Sequence, residues 1–173
     1  MTDALPSAKE HIDAALQLCA KIDDLPADTP LIQIAKVGVI GAGTMGGGIT
    51  MNFLSAGIPV TIVEQEQAAL DRGVAVMAKN YEASVKRGRI EAADAEAAMA
   101  RLTPSLSFDD LADCDLVIEA VYETMEVKKD VFGRLDKIVK QGAILASNTS
   151  YLDIDEIATA TTRPEAVLGM HFF

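Results

Sequence analysis

The pattern of apolar and polar positions predicts a short amphipathic helix at the start of the chain. Over residues 7–24, apolar side chains recur at helical spacing, and Ser7 with Glu10 matches a capping box. The segment 25–30 that follows contains two prolines, so it predicts an extended connector and a domain boundary. The predicted apolar stripe of this helix consists of Ile12, Leu16, Cys19 and Ile22.

Beyond the connector, short runs rich in β-branched residues alternate with longer amphipathic stretches. This alternation is typical of a parallel sheet whose strands are joined by crossover helices. We therefore expect a Rossmann-type, doubly wound, mostly parallel sheet over residues 35–173, preceded by a linker helix and connector over residues 1–34. The predicted strands are Val37–Ile40, Val60–Val63, Leu116–Glu119, Ala143–Ala146 and Val167–His171.

A pair of helices is predicted between the second and third of these strands, as an insertion in a simple βαβ layout. The first helix turns around Gly88, and the alanine-rich stretch from Ala92 to Leu102 predicts the second. Gly73 lowers the helix propensity of the first. The residues expected on its buried face are Leu70, Val74, Met77, Tyr81 and Val85.

Composition narrows the classes of partner. The formal net charge of −11 and the pI near 4.5 disfavour nucleic acid and anionic membranes, because phosphate binding uses clustered Lys and Arg. No apolar run approaches the ~20 residues of a membrane span, and residues 1–9 lack a signal-peptide pattern, so we expect a cytoplasmic protein. Cys19 and Cys114 have neither metal-site nor CxxC spacing, so we expect no metal and assign neither a role.

The strongest motif is a glycine-rich turn that follows the first strand directly. Gly41, Gly43 and Gly46 form G-x-G-x-x-G, in which the first glycine permits the turn, the second lets the backbone approach a pyrophosphate, and the third lets helix and strand pack closely. A helix that begins near Thr44 directs free N–H groups and its positive end at the phosphates, with Met45 also in the turn. The sequence therefore predicts a dinucleotide site.

Glu64, at the end of the second strand, bears on the choice of cofactor. An acidic residue at this position accepts hydrogen bonds from the hydroxyl groups of an adenosine ribose and repels a 2′-phosphate, and its neighbours are Gln65 and Glu66 rather than an arginine. We therefore expect NAD rather than NADP. The turn alone leaves FAD open, because flavoproteins use the same fingerprint.

Polar side chains follow each of the later strands, where ligands bind in open α/β sheets. Glu123 and Lys128 are either solvated surface or ligands of the nicotinamide ribose or an acyl-CoA. Asn148 and Ser150 either cap the helix around residues 154–158 or contact the nicotinamide and the reacting hydroxyl. His171 is either a packed histidine or a base for a hydroxyl proton, work that suits an imidazole near neutral pH.

Four stretches in order resemble the 3-hydroxyacyl-CoA dehydrogenase family: 41–46, 117–123, 147–150 and 169–173. The resemblance implies oxidation of an L-3-hydroxyacyl-CoA by NAD in fatty-acid β-oxidation, and the N-terminal helix and connector resemble the linker of multifunctional enzymes of that pathway. It also implies roles for single residues. These are His171 as general base, Ser150 on the substrate hydroxyl, Glu64 on the adenosine ribose, and Glu123 and Lys128 near the nicotinamide and CoA.

The family also has a glutamate about a dozen residues beyond the histidine and a following helical domain, which these 173 residues do not include. We therefore expect a fragment that binds NAD with little or no turnover and that self-associates through apolar surface left bare. Two alternatives stay open. One is an NADP-linked 3-hydroxybutyryl-CoA dehydrogenase domain, and the other is a non-catalytic NAD-binding module.

Overall fold

The computed structural model describes residues 7–19, 26 and 28–172, and the chain divides into two compact units, 1–32 and 33–173. The first unit contains helix α1, Ala8–Cys19. Its predicted capping box is confirmed, since the Ser7 amide donates to Glu10 Oε2 at 2.8 Å and the Glu10 amide donates to Ser7 Oγ at 3.3 Å. The apolar stripe of α1 is exposed rather than buried, and the predicted continuation over residues 20–24 lies outside the described part.

The second unit is built on a six-stranded sheet with the order β3-β2-β1-β4-β5-β6, in which every neighbouring pair is parallel. This confirms the predicted doubly wound fold, because the order reverses beside β1. The three predicted strands nearest that reversal match residue for residue. The strands are β1 Val37–Ile40, β2 Val60–Val63, β3 Leu102–Ser105, β4 Leu116–Glu119, β5 Ile144–Ser147 and β6 Val167–Gly169.

Helices connect the strands and cover both faces of the sheet. α3 and α4 are the predicted inserted pair, and Gly88 turns the chain between them with a φ of +65°. Of the helices that the structure describes, none is long and apolar enough to cross a membrane. Their bounds are α2 Thr44–Ser55, α3 Gln67–Lys86, α4 Ala92–Met99, α5 Met125–Ile138 and α6 Ile154–Ala158.

One strand was not predicted. The second helix of the inserted pair was expected to reach Leu102, but α4 ends at Met99 and Leu102–Ser105 forms β3. This segment reads Leu-Thr-Pro-Ser, which has neither an apolar run nor apolar alternation. Its Pro104 is tolerated because β3 is an edge strand, paired only with β2 among the described strands.

The last two strands differ from their predicted bounds. β5 begins at Ile144 rather than Ala143, since Ala143 still belongs to the turn that its amide closes on Lys140 O. β6 ends at Gly169 rather than His171, because β5 offers no ladder partner beyond Ser147. His171 therefore lies just past the end of β6 rather than inside it.

Two apolar clusters form the core, one on each face of the sheet. α2, α3 and α4 cover the first face, and α5 and α6 cover the second. Cys114 is buried in the second cluster, and burial raises the pKa of its thiol to about 11, whereas Cys19 is exposed. The predicted buried face of α3 holds for Leu70, Met77 and Tyr81, while Val74 and Val85 are half-buried.

Candidate active site at the carboxyl ends of the strands

The turn between β1 and α2 depends on its three glycines for different reasons. Gly41 has a φ of +99°, and a Cβ there would lie 2.8 Å from the Ala120 carbonyl oxygen. A Cβ on Gly46 would lie 1.8 Å from the Gly41 oxygen, so only glycine allows the helix to approach the turn. A Cβ on Gly43 would meet nothing within 4 Å. The open side of Gly43 is therefore free for a ligand.

The first turn of α2 supplies hydrogen-bond donors beside Gly43. Its N-cap is Gly43 itself, which has no side chain to accept an N–H group of the first turn, and the turn begins with Thr44 and Met45. Both of these residues are exposed. The open cradle at Gly43 and this helix terminus suit the phosphate groups of a dinucleotide.

Glu64 follows β2 and faces the glycine turn. Its Oε2 atom accepts the Ala42 amide at 3.0 Å, and its Oε1 atom accepts the Gln65 amide at 2.8 Å. The carboxylate is therefore held in place by backbone donors and keeps acceptor capacity for the hydroxyl groups of a ribose. The close contact between α3 and the glycine turn requires a glycine at position 73, because a Cβ on Gly73 would lie 2.4 Å from the Ala42 backbone oxygen. The sequence had indicated only the propensity cost of Gly73.

Two surface hollows flank the turn, and Gly43 and Glu64 line both. One has a volume of about 650 Å³ and lies among the residues that follow β1, β2 and β4. The other has a volume of about 460 Å³ and lies between α2 and α3. Together they offer space for an extended nucleotide on either side of Glu64. Residues of the first include Gln65, Phe108, Val121 and Val127, and residues of the second include Thr44, Arg72, Val76 and Asn80.

A buried ion pair lies beneath the carboxyl ends of β4 and β5. The Lys128 ammonium contacts the two Glu119 carboxylate oxygens at 2.8 and 3.0 Å, and the side chains are 1% and 0% exposed. Glu119 also accepts the Val121 amide at 3.1 Å and the Ser147 hydroxyl. The surface interpretation of Lys128 is therefore wrong. Sequence reasoning missed Glu119, whose only signal was a carboxylate at the end of an apolar strand.

Glu123 extends this cluster toward the surface. Its Oε2 atom lies 3.1 Å from the Lys128 ammonium, while its Oε1 atom accepts the Thr149 hydroxyl and, at 2.8 Å, the Ser150 amide. Burial acts to raise the pKa of Glu123, but these hydrogen bonds and the lysine outweigh it and hold the pKa below its ordinary value. Glu123 is therefore ionised near neutral pH.

Ser150 and His171 meet at the outer end of this network. Ser150 Oγ lies 3.1 Å from His171 Nε2, and both residues are exposed. Asn148 holds the chain after β6 in place, since its Oδ1 atom accepts the Phe172 amide at 2.9 Å. The interpretation of Asn148 and Ser150 as helix caps is wrong, because Asp153 caps α6 by accepting two backbone N–H groups.

The structure thus brings the predicted residues to one edge of the sheet, in two groups. The glycine turn and Glu64 form the first group, at the ends of β1 and β2. Glu123, Lys128, Asn148, Ser150 and His171 form the second, at the ends of β4, β5 and β6. The first group suits the phosphates and adenosine ribose of a dinucleotide. The second offers an imidazole and a hydroxyl close enough to hold one substrate oxygen between them.

Known proteins are similar to this chain in sequence and in fold. The family model described as the NAD-binding domain of 3-hydroxyacyl-CoA dehydrogenase matches residues 36–173. The chain is 44% identical over 138 residues to a 3-hydroxybutyryl-CoA dehydrogenase of Clostridioides difficile. The aligned region covers 80% of this chain and 49% of that protein. It is 42% identical over 140 residues to the peroxisomal bifunctional enzyme of Cavia porcellus, covering 81% of this chain and 19% of that enzyme.

A solved structure agrees with these sequence matches. FadB2 of M. tuberculosis superimposes with a TM-score of 0.79 at 42% identity, over 81% of this chain and 50% of that one. The chain thus spans about half the length of the C. difficile 3-hydroxybutyryl-CoA dehydrogenase, 49%. The resemblance read from the four sequence motifs is confirmed.

Proposed function

Because the chain belongs to the 3-hydroxyacyl-CoA dehydrogenase family through its NAD-binding domain, we propose that it is the cofactor-binding part of an enzyme that oxidises L-3-hydroxyacyl-CoA to 3-ketoacyl-CoA. The observation that carries the proposal is the pair of Ser150 Oγ and His171 Nε2, 3.1 Å apart and on the same sheet edge as the glycine turn. An acyl-CoA is the proposed substrate, in fatty-acid oxidation.

NAD is the cofactor of this domain family, and when bound it supplies the acceptor for the hydride. We propose that the turn at Gly41, Gly43 and Gly46, with the first amides of α2 at Thr44 and Met45, holds its phosphates. Glu64 holds the adenosine ribose and disfavours a 2′-phosphate, which supports NAD over NADP. The contacts predicted for Glu123 and Asn148 on the nicotinamide side belong to the same proposal. A direct contact of Lys128 does not, because its side chain is 1% exposed and its ammonium lies against Glu119 and Glu123.

His171 and Ser150 carry the proton transfer in this proposal. His171 Nε2 accepts the proton of the substrate hydroxyl while Ser150 Oγ holds the same oxygen in hydrogen-bond range. The Glu123 carboxylate supports this arrangement, because it accepts the Ser150 amide and so fixes the segment that presents the hydroxyl. Glu123 acts here as a positioning residue for Ser150.

The proposal also covers assembly and location. Apolar side chains remain exposed near the site, Tyr122 at 85% and Tyr151 at 75%, which supports self-association of this chain. A monomer mass from light scattering at micromolar concentration would contradict it. We further propose a cytoplasmic location, and cell fractionation tests this because one relative is named a peroxisomal enzyme.

The first experiment measures NADH fluorescence with the purified 173-residue chain and then adds acetoacetyl-CoA to the same cuvette. We expect NADH to bind more tightly than NADPH. We expect turnover at least about a thousandfold below the roughly 10 per second that is typical of enzymes, because the chain spans only 49% of the length of the C. difficile relative. Turnover near 10 per second would refute that expectation, and tighter binding of NADPH would refute the role of Glu64.

The role of His171 is tested by His171→Ala, with His11→Ala as the matched control because His11 lies on α1. The residual turnover is measured by mass spectrometry of the product, and His171→Ala should abolish it. The same variant should leave the Kd for NADH within about twofold of wild type. His11→Ala should change neither. Turnover that survives in His171→Ala would contradict the assignment of the base, and complete absence of turnover in every variant would favour the non-catalytic module.

A further inference from the structure

The buried cluster of Glu119, Lys128 and Glu123 contains more negative than positive charge. One ammonium group serves two carboxylates, at 2.8 Å for Glu119 and 3.1 Å for Glu123. Both carboxylates also accept hydrogen bonds from backbone amides and hydroxyls, which carry no charge. With both carboxylates ionised, the cluster has a net charge of −1.

This charge lies in surroundings that screen it weakly. Glu119 and Lys128 are 0% and 1% exposed, and Glu123 is 29% exposed. A charge inside a protein acts over longer distances than the same charge in water, because the effective dielectric constant is lower. The cluster can therefore influence a charged ligand that it does not touch.

Two successive hydrogen-bond contacts connect the cluster to Ser150 and His171, the residues proposed to bind the substrate oxygen. Glu123 accepts the Ser150 amide at 2.8 Å, and Ser150 Oγ lies 3.1 Å from His171 Nε2. On the proposed function, the substrate oxygen lies at these two side chains, and the carbon that loses the hydride is bonded to that oxygen. The redox-active ring of the cofactor therefore belongs beside this cluster. That ring carries a positive charge when oxidised and none when reduced.

We propose that Glu119, with Lys128 and Glu123, shifts the binding preference of the site toward the oxidised, cationic form of NAD relative to NADH. Glu119 is then a specificity-determining residue that acts through its charge, since it is buried behind Glu123 and contacts Lys128 rather than solvent. The inference rests on the proposed function, because it requires the nicotinamide to lie at the end of the site that contains Ser150 and His171.

The test is Glu119→Gln, which keeps the size of the side chain and removes its charge. The measured quantity is the ratio of the Kd for NAD⁺ to the Kd for NADH, obtained by calorimetry on the 173-residue chain near neutral pH. A unit charge about 10 Å away changes a binding constant by roughly one order of magnitude at an effective dielectric constant of about 20. Solvent near the partly exposed Glu123 screens the charge and reduces this effect on the binding constant. We therefore expect the ratio of the two Kd values to rise about three- to tenfold.

Glu126→Gln is the matched control, because it removes the same charge from an exposed position in the first turn of α5. Its ratio should stay within about twofold of wild type. Glu123→Gln provides a second test should Glu119→Gln fail to fold by circular dichroism. Contacts that Glu123 makes with both forms of the cofactor cancel in the ratio, so the expected rise is the same.

The outcomes separate this inference from the proposed function. A ratio unchanged in a folded Glu119→Gln or Glu123→Gln variant, or lowered in it, overturns the inference while the function stands. An equal rise in Glu126→Gln also overturns it, because the effect would then belong to overall charge. Failure of the wild-type chain to bind either NAD⁺ or NADH would overturn the proposed function itself.

Discussion

Single substitutions in the glycine turn should affect the stability of the protein and its affinity for NADH independently. Gly43 has extended backbone angles, φ −73° and ψ −168°, and an added Cβ meets nothing within 4 Å. Gly43→Ala should therefore leave the free energy of unfolding within about 0.5 kcal/mol of wild type. The added methyl group fills the space proposed for the cofactor phosphates, so the Kd for NADH should rise at least about tenfold, or about 1.4 kcal/mol.

Gly46→Ala should behave in the opposite way. Its Cβ would lie 1.8 Å from the Gly41 backbone oxygen, which cannot move without changing the turn. Overlap of this severity costs about 3 kcal/mol or more, and the higher helix propensity of alanine returns about 1 kcal/mol, so the net loss should be at least about 2 kcal/mol. Gly48→Ala in the same helix is the control, because its Cβ meets nothing within 4 Å and should add up to about 1 kcal/mol.

The assay is urea unfolding followed by far-UV circular dichroism, with the m-values compared, together with NADH titration of each folded variant. A Gly46→Ala variant as stable as wild type would refute the argument from close approach. A Gly43→Ala variant with unchanged NADH affinity would show that the open side of Gly43 does not receive the cofactor.

Two further predictions concern Arg163, which is buried and donates to the backbone oxygens of Leu135, Val139 and Lys140 at the end of α5 and to Asp136. Arg163→Met should lower the unfolding free energy by about 3 kcal/mol in urea, and a change under about 1 kcal/mol would contradict it. Burial acts to raise the pKa of Asp136, but donors from Thr162 and the charge of Arg163 lower it overall. The ionised Asp136 therefore stabilises the folded state at pH values above its ordinary pKa of 3.8, and this stabilisation is lost as the pH falls through the lower pKa of the folded state. Wild type should lose more stability than Asp136→Asn in urea titrations between about pH 5 and pH 3, and equal losses would contradict this.

The sequence predicted the central part of the sheet well and its edges less well. β1, β2 and β4 are buried at every position, and their sequences are short runs in which apolar and β-branched residues predominate. β3 and β6 contain half-buried or exposed positions, and their residues pair with only one neighbour among the described strands. Edge strands of this kind are fixed by the strand beside them rather than by their own pattern.

The candidate site shows the same division. The glycine turn and Glu64 follow from local sequence, because each must occupy a set place in a βαβ unit. The burial of Lys128 did not follow, since an exposed and a buried lysine look alike on a helix when the partner carboxylate is unknown. Glu119 was missed for the same reason. Its partner Ser147 lies on β5, and only the parallel register of β4 and β5 brings the two side chains together.

The position of β1 has a consequence for synthesis on the ribosome. β1 pairs with β2 on one side and with β4 on the other, and Ile40 is matched with Glu119. At about 5–20 residues per second, the far edge of β1 waits roughly 4–16 seconds for that partner to be translated. During this interval an apolar strand presents unpaired backbone groups, which is a template for wrong pairing. Nascent chains whose translation is paused after β1 and before β4 should therefore depend most on chaperones.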